Sequence, residues 1–351
     1  MTGPSAIFDV LAALPLEVSP ETAEAVALER WGLRVRARAL SGERDRNFHL
    51  LGALGHEYVL KFANPAEDAG FRDMQISALR HIARADPGLS VPRIVPLPDG
   101  TVETRVPHGA GGMQHVRMLS WVSGQPIGSS RPSADQRLAY GAMVARLQGA
   151  LAGFSHAASG HRIAWDLQHA PGLRDIAFAI PHAEARRVLH ALLDEFDARV
   201  IPMLPSLRRQ VVHNDLTRMN VLVDPVDHDR MTGVIDFGDI AETAAVFDVA
   251  IAAVSQPGPD MDTDAAVGHF VRGFHARWPL LAEEVALMPL LMACRIAMGL
   301  TLASWHRHMQ PDNPHFDLSD AAIQRRLAII AAFHAPSMAR SLRHACGLAA
   351  N

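Results

Sequence analysis

Residues 211 to 225 read VVHNDLTRMNVLVDP: two apolar runs, Val211-Val212 and Val221-Leu222-Val223, set around a dense polar insert. The runs have the length and β-branched content of short buried strands. The insert carries His213, Asn214, Asp215, Thr217, Arg218 and Asn220. Polar groups at the entrance to a core need partners or a task. Sixteen residues after Asn220, a second β-rich piece, TGVIDFGD, contains Asp236-Phe237-Gly238. The link between the pieces, PVDHDR, is rich in turn residues, so a hairpin is expected. That hairpin would return Asp236 to the side of Asn220.

The rest of the chain sorts into two parts. IFDVLAAL (7–14) and SPETAEAVALERW (19–31) read as helices, the second with Ser19 as N-cap, Pro20 at the first position and Glu21 in the first turn. LRVRARAL (33–40), NFHLLG (47–52) and EYVLKF (57–62) read as strands joined by short turns, which suggests an antiparallel sheet. Residues 71–83 have helical apolar spacing, and 91–97 and 116–122 read as further strands. From Ser133, which opens a capping box with Gln136, the pattern turns helical, recurring at 183–203, 264–276, 282–308 and 319–333. The expected class is α+β with two lobes. Residues 1–122 make a β-rich lobe with one inserted helix, and 123–351 make a mainly helical lobe that holds the hairpin.

Composition narrows the function. With 351 residues and 49% hydrophobic content the chain can build more than one core. A net charge of −4 and no basic stripe argue against nucleic acid or an anionic membrane surface as partner. Two cysteines, Cys294 and Cys346, point to a reducing cytosol rather than a disulfide scaffold. The N-terminus lacks a signal-peptide pattern, and the longest apolar run, Val285 to Cys294, is too short to span a bilayer. A soluble, cytoplasmic protein is expected. The oligomeric state is not readable from these features.

The insert reads as H-x-D-x-x-x-x-N, with a strand lysine, Lys61, far upstream in Tyr58-Val59-Leu60-Lys61-Phe62. These are parts that phosphoryl transfer of the kinase type needs. Such transfer asks the protein to position groups and neutralise phosphate charge. A lysine on a rigid strand can hold phosphates. An Asn amide oxygen and an Asp carboxylate, Asn220 and Asp236, can hold Mg²⁺. A second carboxylate, Asp215, can take the proton of an attacking hydroxyl.

HNDLTRMN followed by VIDFGD resembles the catalytic and metal-binding loops of the aminoglycoside phosphotransferase family, which has a protein-kinase-like fold. GERDRNFHL (42–50) resembles the phosphate-covering loop and second strand, VRMLSWVSG (116–124) the hinge, and VARLQGALAGFSH (144–156) a helix typical of the family. With LKFANP and DMQ, the pattern is most similar to the hydroxylysine-kinase-like branch. The resemblance implies Asp215 as catalytic base, His213 as a structural brace, Asn220 and Asp236 as Mg²⁺ ligands, and Lys61 on the phosphates of ATP or GTP. It implies main-chain contact near Leu119 and Trp121 with the purine. Two departures stand out. The phosphate loop has Gly42 alone, leaving amides around Ser41 to Arg46 to cover phosphates. At the helix position that offers a glutamate to the lysine, the chain has Gln75.

Other residues carry two readings each. Asp248, inside FDVAIAAV, fits loop bracing better than substrate binding. Asp239 and Glu242 could meet a substrate amine or be solvated. Arg295, interrupting an apolar helix, could bind a substrate carboxylate or form an internal ion pair. His306, His308 and His315 suggest a metal only weakly, since the chain has nineteen histidines. Both cysteines read as core residues.

The implied function is a small-molecule kinase acting on a hydroxyl of an amino-alcohol or hydroxy-amino acid. Alternatives are an aminoglycoside O-phosphotransferase, a choline- or ethanolamine-type kinase, or a non-catalytic nucleotide-binding relative. A protein kinase is disfavoured. FDVAIAAV, which reads as a helix, follows Asp236 too soon for an activation segment, no A-P-E follows, and Asn214 stands where H-R-D has arginine.

Overall fold

The structure is a computed structural model that describes residues 17–42, 45–108, 112–258, 261–310 and 318–349. The expected helix at 7–14 and His315 lie outside them. The chain divides into two compact units, with the break between Ser123 and Gly124.

The first unit opens with α1 (Pro20–Trp31). Ser19 Oγ accepts from the Thr22 N–H at 3.2 Å, Pro20 needs no partner for its nitrogen, and Gly32 at φ 69° ends the helix in the left-handed region. Six strands follow: β1 (Val35–Leu40), β2 (Arg46–Gly52), β3 (Glu57–Phe62), β4 (Ile94–Val95), β5 (Thr104–His108) and β6 (Gly112–Ser120). All pairings are antiparallel, in the order β1-β2-β3-β6-β4, with β5 also on β6. One helix, α2 (Ala69–Ala85), is inserted after β3. Strand periodicity buries Phe48, Leu50, Leu60, Phe62, Val116 and Met118 against Ala23, Ala27 and Trp31 of α1. It thereby turns Lys61 to the opposite face, level with Asn47 and Arg117. The strand expected at 91–97 shrinks to Ile94–Val95 because Pro92 and Pro96 have no N–H to give a ladder.

The second unit holds α3 (Ala134–Leu151), α4 (Ala183–Arg199), α5 (Ala245–Ala253), α6 (Thr263–His275), α7 (Ala282–Met309), α8 (Asp320–Phe333) and α9 (Pro336–Ala345). Its strands are β7 (Gln125–Pro126), β8 (Arg209–Val212), β9 (Val221–Val223), β10 (Met231–Val234) and β11 (Ala241–Ala244). The expected hairpin is β9–β10, antiparallel, with Val221 level with Val234; β7 extends it. A second pair, β8–β11, sets Val212 level with Ala241. Ser133 caps α3 by accepting from the Gln136 N–H at 2.9 Å. The Gln136 side chain does not return to Ser133; it donates to Ser130 Oγ and the His228 carbonyl, so only half the capping box forms. By length and composition α7 could cross a membrane, yet 83% of its most apolar window is buried inside the fold, as for a core helix.

Candidate active site

The two small sheets set two loops side by side. Residues 213–220 run from β8 to β9, and 235–240 run from β10 to β11. Since β9 pairs with β10 and β8 with β11, the two loops cross between the same two sheets in opposite directions and so lie side by side. Val211, Val212, Val221, Val223 and Val234 anchor the ends in the core. The Ile235 N–H donates to the Asn220 carbonyl at 2.9 Å and closes the junction.

His213 is fully buried between the loops. Its Nε2–H donates to the Ile235 carbonyl at 3.0 Å, and its Nδ1 accepts from the Asp215 N–H at 3.3 Å. One nitrogen donating and one accepting is the neutral imidazole. Burial lowers its pKa, against opposing pulls from Ile235 and the charges of Asp236 and Asp239. Its ring packs edge-on to Phe237 at 4.8 Å.

Asn214 and Asp236 have φ of 64° and 63°. Asn and Asp tolerate the left-handed region better than other side chains with a Cβ, and the strain costs about 1 kcal/mol or more per residue. Outside partners hold it. The Asn214 N–H donates to Asp248 Oδ1 at 2.8 Å, and Asp248 also accepts from Gln148 Nε2 at 3.4 Å. Asp248 is wholly buried in the first turn of α5, and burial lifts its carboxyl to about 6 against those hydrogen bonds. The Tyr140 hydroxyl of α3 donates to the Leu216 carbonyl at 2.6 Å, and the Gly128 N–H to the Arg218 carbonyl at 2.9 Å. Asp248 therefore braces the loop. Tyr140 does the same and carries no mark in the sequence, where it is one more residue of an apolar helical face.

Asn220 from the same loop and Arg295 from α7 flank the Asp215 carboxylate. Asn220 Nδ2 donates to the Asp215 carbonyl at 2.9 Å and to Asp215 Oδ2 at 2.7 Å. Arg295 Nη2 of α7 lies 3.6 Å from Asp215 Oδ1, and its guanidinium lies 4.7 Å from the centre of the Trp165 ring. The Asp215 side chain keeps 26% exposure and Arg295 10%. Arg295 is thus both an ion-pair partner and a neighbour of the expected base.

The donor set near Asp215 suits a hard cation. Both Asn220 bonds run through Nδ2, which leaves the amide Oδ1 as the oxygen available to a cation. Asp236 is exposed, with Oδ1 accepting from the Gly238 N–H at 3.2 Å. An amide oxygen and a carboxylate are the hard oxygen donors that Mg²⁺ takes alongside its waters. Among the described residues no group of three or more His, Cys, Asp or Glu is placed to hold a metal. His306 instead contacts Gln310, and His308 stacks on Trp305.

Glu242 lies in β11, and its Oε2 accepts from Ser159 Oγ at 2.8 Å. Asp239 is half-buried in the turn before β11. Cys294 and Cys346 are buried and unbridged.

In the first unit Lys61 Nζ pairs with Asp45 Oδ2 at 2.7 Å. The expected partnership with Gln75 does not form. Gln75 Nε2 donates to Glu67 Oε1 at 2.8 Å, and its Oε1 accepts from Arg117, so both ends of the amide are taken. A Cβ on Gly42 would sit 2.7 Å from the Asp45 carbonyl oxygen, so the position has no room for a side chain. Ser41 is exposed, and Arg46 lies over Phe48 at 5.7 Å; Glu43 and Arg44 fall outside the described residues. Leu119 is paired within the sheet. The Trp121 N–H donates to the Glu57 carbonyl at 3.2 Å and so is already engaged, while the Trp121 ring lies 4.2 Å from that of His49.

Comparison with known proteins fits this arrangement. Residues 36–284 match the phosphotransferase enzyme family. A hydroxylysine kinase of Mus musculus is 27% identical over 317 residues, covering 84% of each chain. A homoserine kinase of Methylobacillus flagellatus is 33% identical over 182 residues, covering 49% of this chain and 51% of that one. Among solved structures, a microcompartment-associated aminopropanol kinase superposes with a TM-score of 0.69 at 20% identity, covering 93% of this chain and 99% of that one. An amicoumacin kinase in complex with AMP-PNP and Ca²⁺ superposes at 0.66 with 16% identity, covering 92% and 94%. The fold is α+β and protein-kinase-like. With the family match spanning most of its length, the chain belongs to the phosphotransferase enzyme family and is a phosphotransferase that acts on hydroxyl groups.

Proposed function

We propose that this chain transfers the γ-phosphoryl group of ATP or GTP to a hydroxyl of a small hydroxy-amino acid or amino-alcohol. In this reading residues 1–122 carry the nucleotide and 123–351 carry the catalytic loop and the acceptor. Lys61 holds nucleotide phosphates, and Asn220 and Asp236 supply oxygens to Mg²⁺. Bound there, Mg²⁺ neutralises phosphate charge and holds the phosphates for in-line attack. Asp215 accepts the acceptor's hydroxyl proton while that oxygen bonds to the γ-phosphorus. The bond from the γ-phosphorus to the bridging oxygen breaks, and the diphosphate leaves with the electron pair.

The observation that carries this reading is the double hydrogen bond from Asn220 to Asp215, with Arg295 at 3.6 Å. One loop thereby ties the proposed base to the proposed metal ligand, beside a buried cation. The acceptor class follows from charge. A cation beside the base suits an acceptor bearing a carboxylate. A polycationic aminoglycoside would need several free acidic groups, and Glu242 is held by Ser159. Likeness to hydroxylysine kinases over most of both chains supports the same class.

A coupled assay for ADP or GDP release tests it across hydroxy-amino acids, amino-alcohols and aminoglycosides. Release with the first two classes is expected. Release with aminoglycosides alone would reassign the acceptor, and no release with any would return the chain to a binding role.

A further inference from the structure

We propose that Asp45, from the connection between β1 and β2, is the residue that positions Lys61, in place of a helix glutamate. The inference rests on reading Lys61 as the phosphate-binding lysine. Lys61 and Asp45 are each only 11% exposed and meet at 2.7 Å. Asp45 is itself held, because its Oδ1 accepts from the Asn64 N–H at 2.8 Å. A lysine ammonium rides on a flexible four-carbon stem, so a fixed carboxylate is what gives it one position.

Two other residues of the same unit could have served. Gln75 sits at the expected helix position but is spent on Glu67 and Arg117. Glu67 bonds the Gln75 amide rather than Lys61. Charge separates the two acids. Burial raises the Asp45 carboxyl, yet the Lys61 ammonium, its hydrogen bond, the Asn64 N–H and Arg117 outweigh it and leave it lowered. Burial raises Glu67, and the nearby Asp45 charge raises it further against Arg117 and Lys61. Lys61 thus favours the charged form of Asp45, its direct partner, more than burial opposes it, whereas at Glu67 burial prevails. The consequence is a different coupling. Lys61 is tied to Asp45, next to β2 and within the stretch expected to cover the phosphates, and not to α2.

Calorimetry on the full chain tests this with two probes, Mg²⁺-nucleoside triphosphate and the matching free nucleoside. Lys61→Ala is expected to weaken triphosphate binding. Asp45→Asn keeps an oxygen for the Asn64 N–H but loses the charge. It is expected to weaken the triphosphate about 10-fold or more while leaving the nucleoside affinity unchanged. Asp45→Glu should recover most of the loss. If Asp45→Asn does not fold, Asp45→Ser carries the same comparison. Wild-type triphosphate affinity in Asp45→Asn alongside a weakened Lys61→Ala would overturn the proposal and spare the reading of Lys61. Equal weakening of triphosphate and nucleoside would also overturn it, since that marks a general loss of structure. Unchanged binding in Lys61→Ala would remove the reading of Lys61 and the proposal with it.

Discussion

Asn220 donates one amide nitrogen to two oxygens of Asp215, the main-chain carbonyl at 2.9 Å and the carboxylate at 2.7 Å. The bond fixes the Asp215 rotamer and, at the same time, decides which end of the Asn220 amide faces elsewhere. Asp215→Asn preserves size but removes the proton acceptor. Nucleotide affinity should stay near wild type while turnover falls by about 10² to 10⁴. Stopped-flow turnover with parallel calorimetry measures both, and unchanged turnover would refute the base assignment.

Asp236 holds an exposed carboxylate on a left-handed backbone. Asp236→Ala removes the only carboxylate in the proposed Mg²⁺ pair. Nucleotide titrations with Mg²⁺ and with a chelator should differ for the native chain and coincide for the variant. Equal native affinity with and without metal would contradict the assignment.

Arg295 stacks on Trp165 and reaches toward Asp215. Lysine cannot reproduce a planar, stacked guanidinium. Arg295→Lys should lower kcat/KM for the acceptor by about 10-fold or more and leave nucleotide affinity alone. Steady-state kinetics with each substrate varied in turn would show this. A change confined to nucleotide KM would place Arg295 outside the acceptor's reach.

Asp248 links pH to stability. Unfolded, it releases its proton near pH 4, whereas burial holds it to about 6 in the fold. Between those values the unfolded chain binds fewer protons, so this group's contribution declines as pH rises and reaches its floor above pH 6. Asp248→Asn stays neutral and keeps an oxygen for the Asn214 N–H. Its stability relative to the native chain should therefore grow between pH 4 and 7, by about 3 kcal/mol at most. Urea melts at the two pH values test it; a constant difference would be the contrary result.

Helices α3 and α6 cross at glycine. A Cβ on Gly141 would lie 2.0 Å from the Phe270 carbonyl oxygen, and one on Gly273 2.0 Å from that of Leu138. Alanine in a helix is ordinarily favoured over glycine by roughly 0.5–1 kcal/mol. Here it meets main chain, and overpacking of about 3 kcal/mol wins. Both Gly141→Ala and Gly273→Ala should lower Tm. Because Tyr140 beside Gly141 holds the Leu216 carbonyl, Gly141→Ala should also slow turnover. A raised Tm would show that the helices can separate freely.

Much of the fold is local in origin and was legible. Caps at Ser19 and Ser133, helical apolar spacing and β-branched runs on either side of turn residues each act within a few residues. They marked α1 to α8, β1 to β3, β6, β8 and the β9–β10 hairpin. What they missed is crowded by a neighbouring element, interrupted by proline or defined by distant pairing. α9 follows α8 after a two-residue break, the 3₁₀ stretch Leu167–Ala179 contains Pro171, and β11 is defined only by its pairing with the distant β8. Asp215, Asn220 and Asp236 stood out because short-range spacing puts them on adjoining loops.

Partnerships between distant residues were decided by the tertiary structure alone. Sequence order nominated Gln75 for Lys61, because helix register depends on local spacing. Packing gave Lys61 to Asp45, since Glu67 and Arg117 had already taken both ends of the Gln75 amide. Arg295 is eighty residues from Asp215, and a sequence can say that a buried arginine needs an anion without saying which. By itself the sequence determined which chemical groups the chain carries and that they belong to one loop pair. Only the fold decided which charge neutralises which, because a Coulomb interaction is set by distance through space and not by separation along the chain.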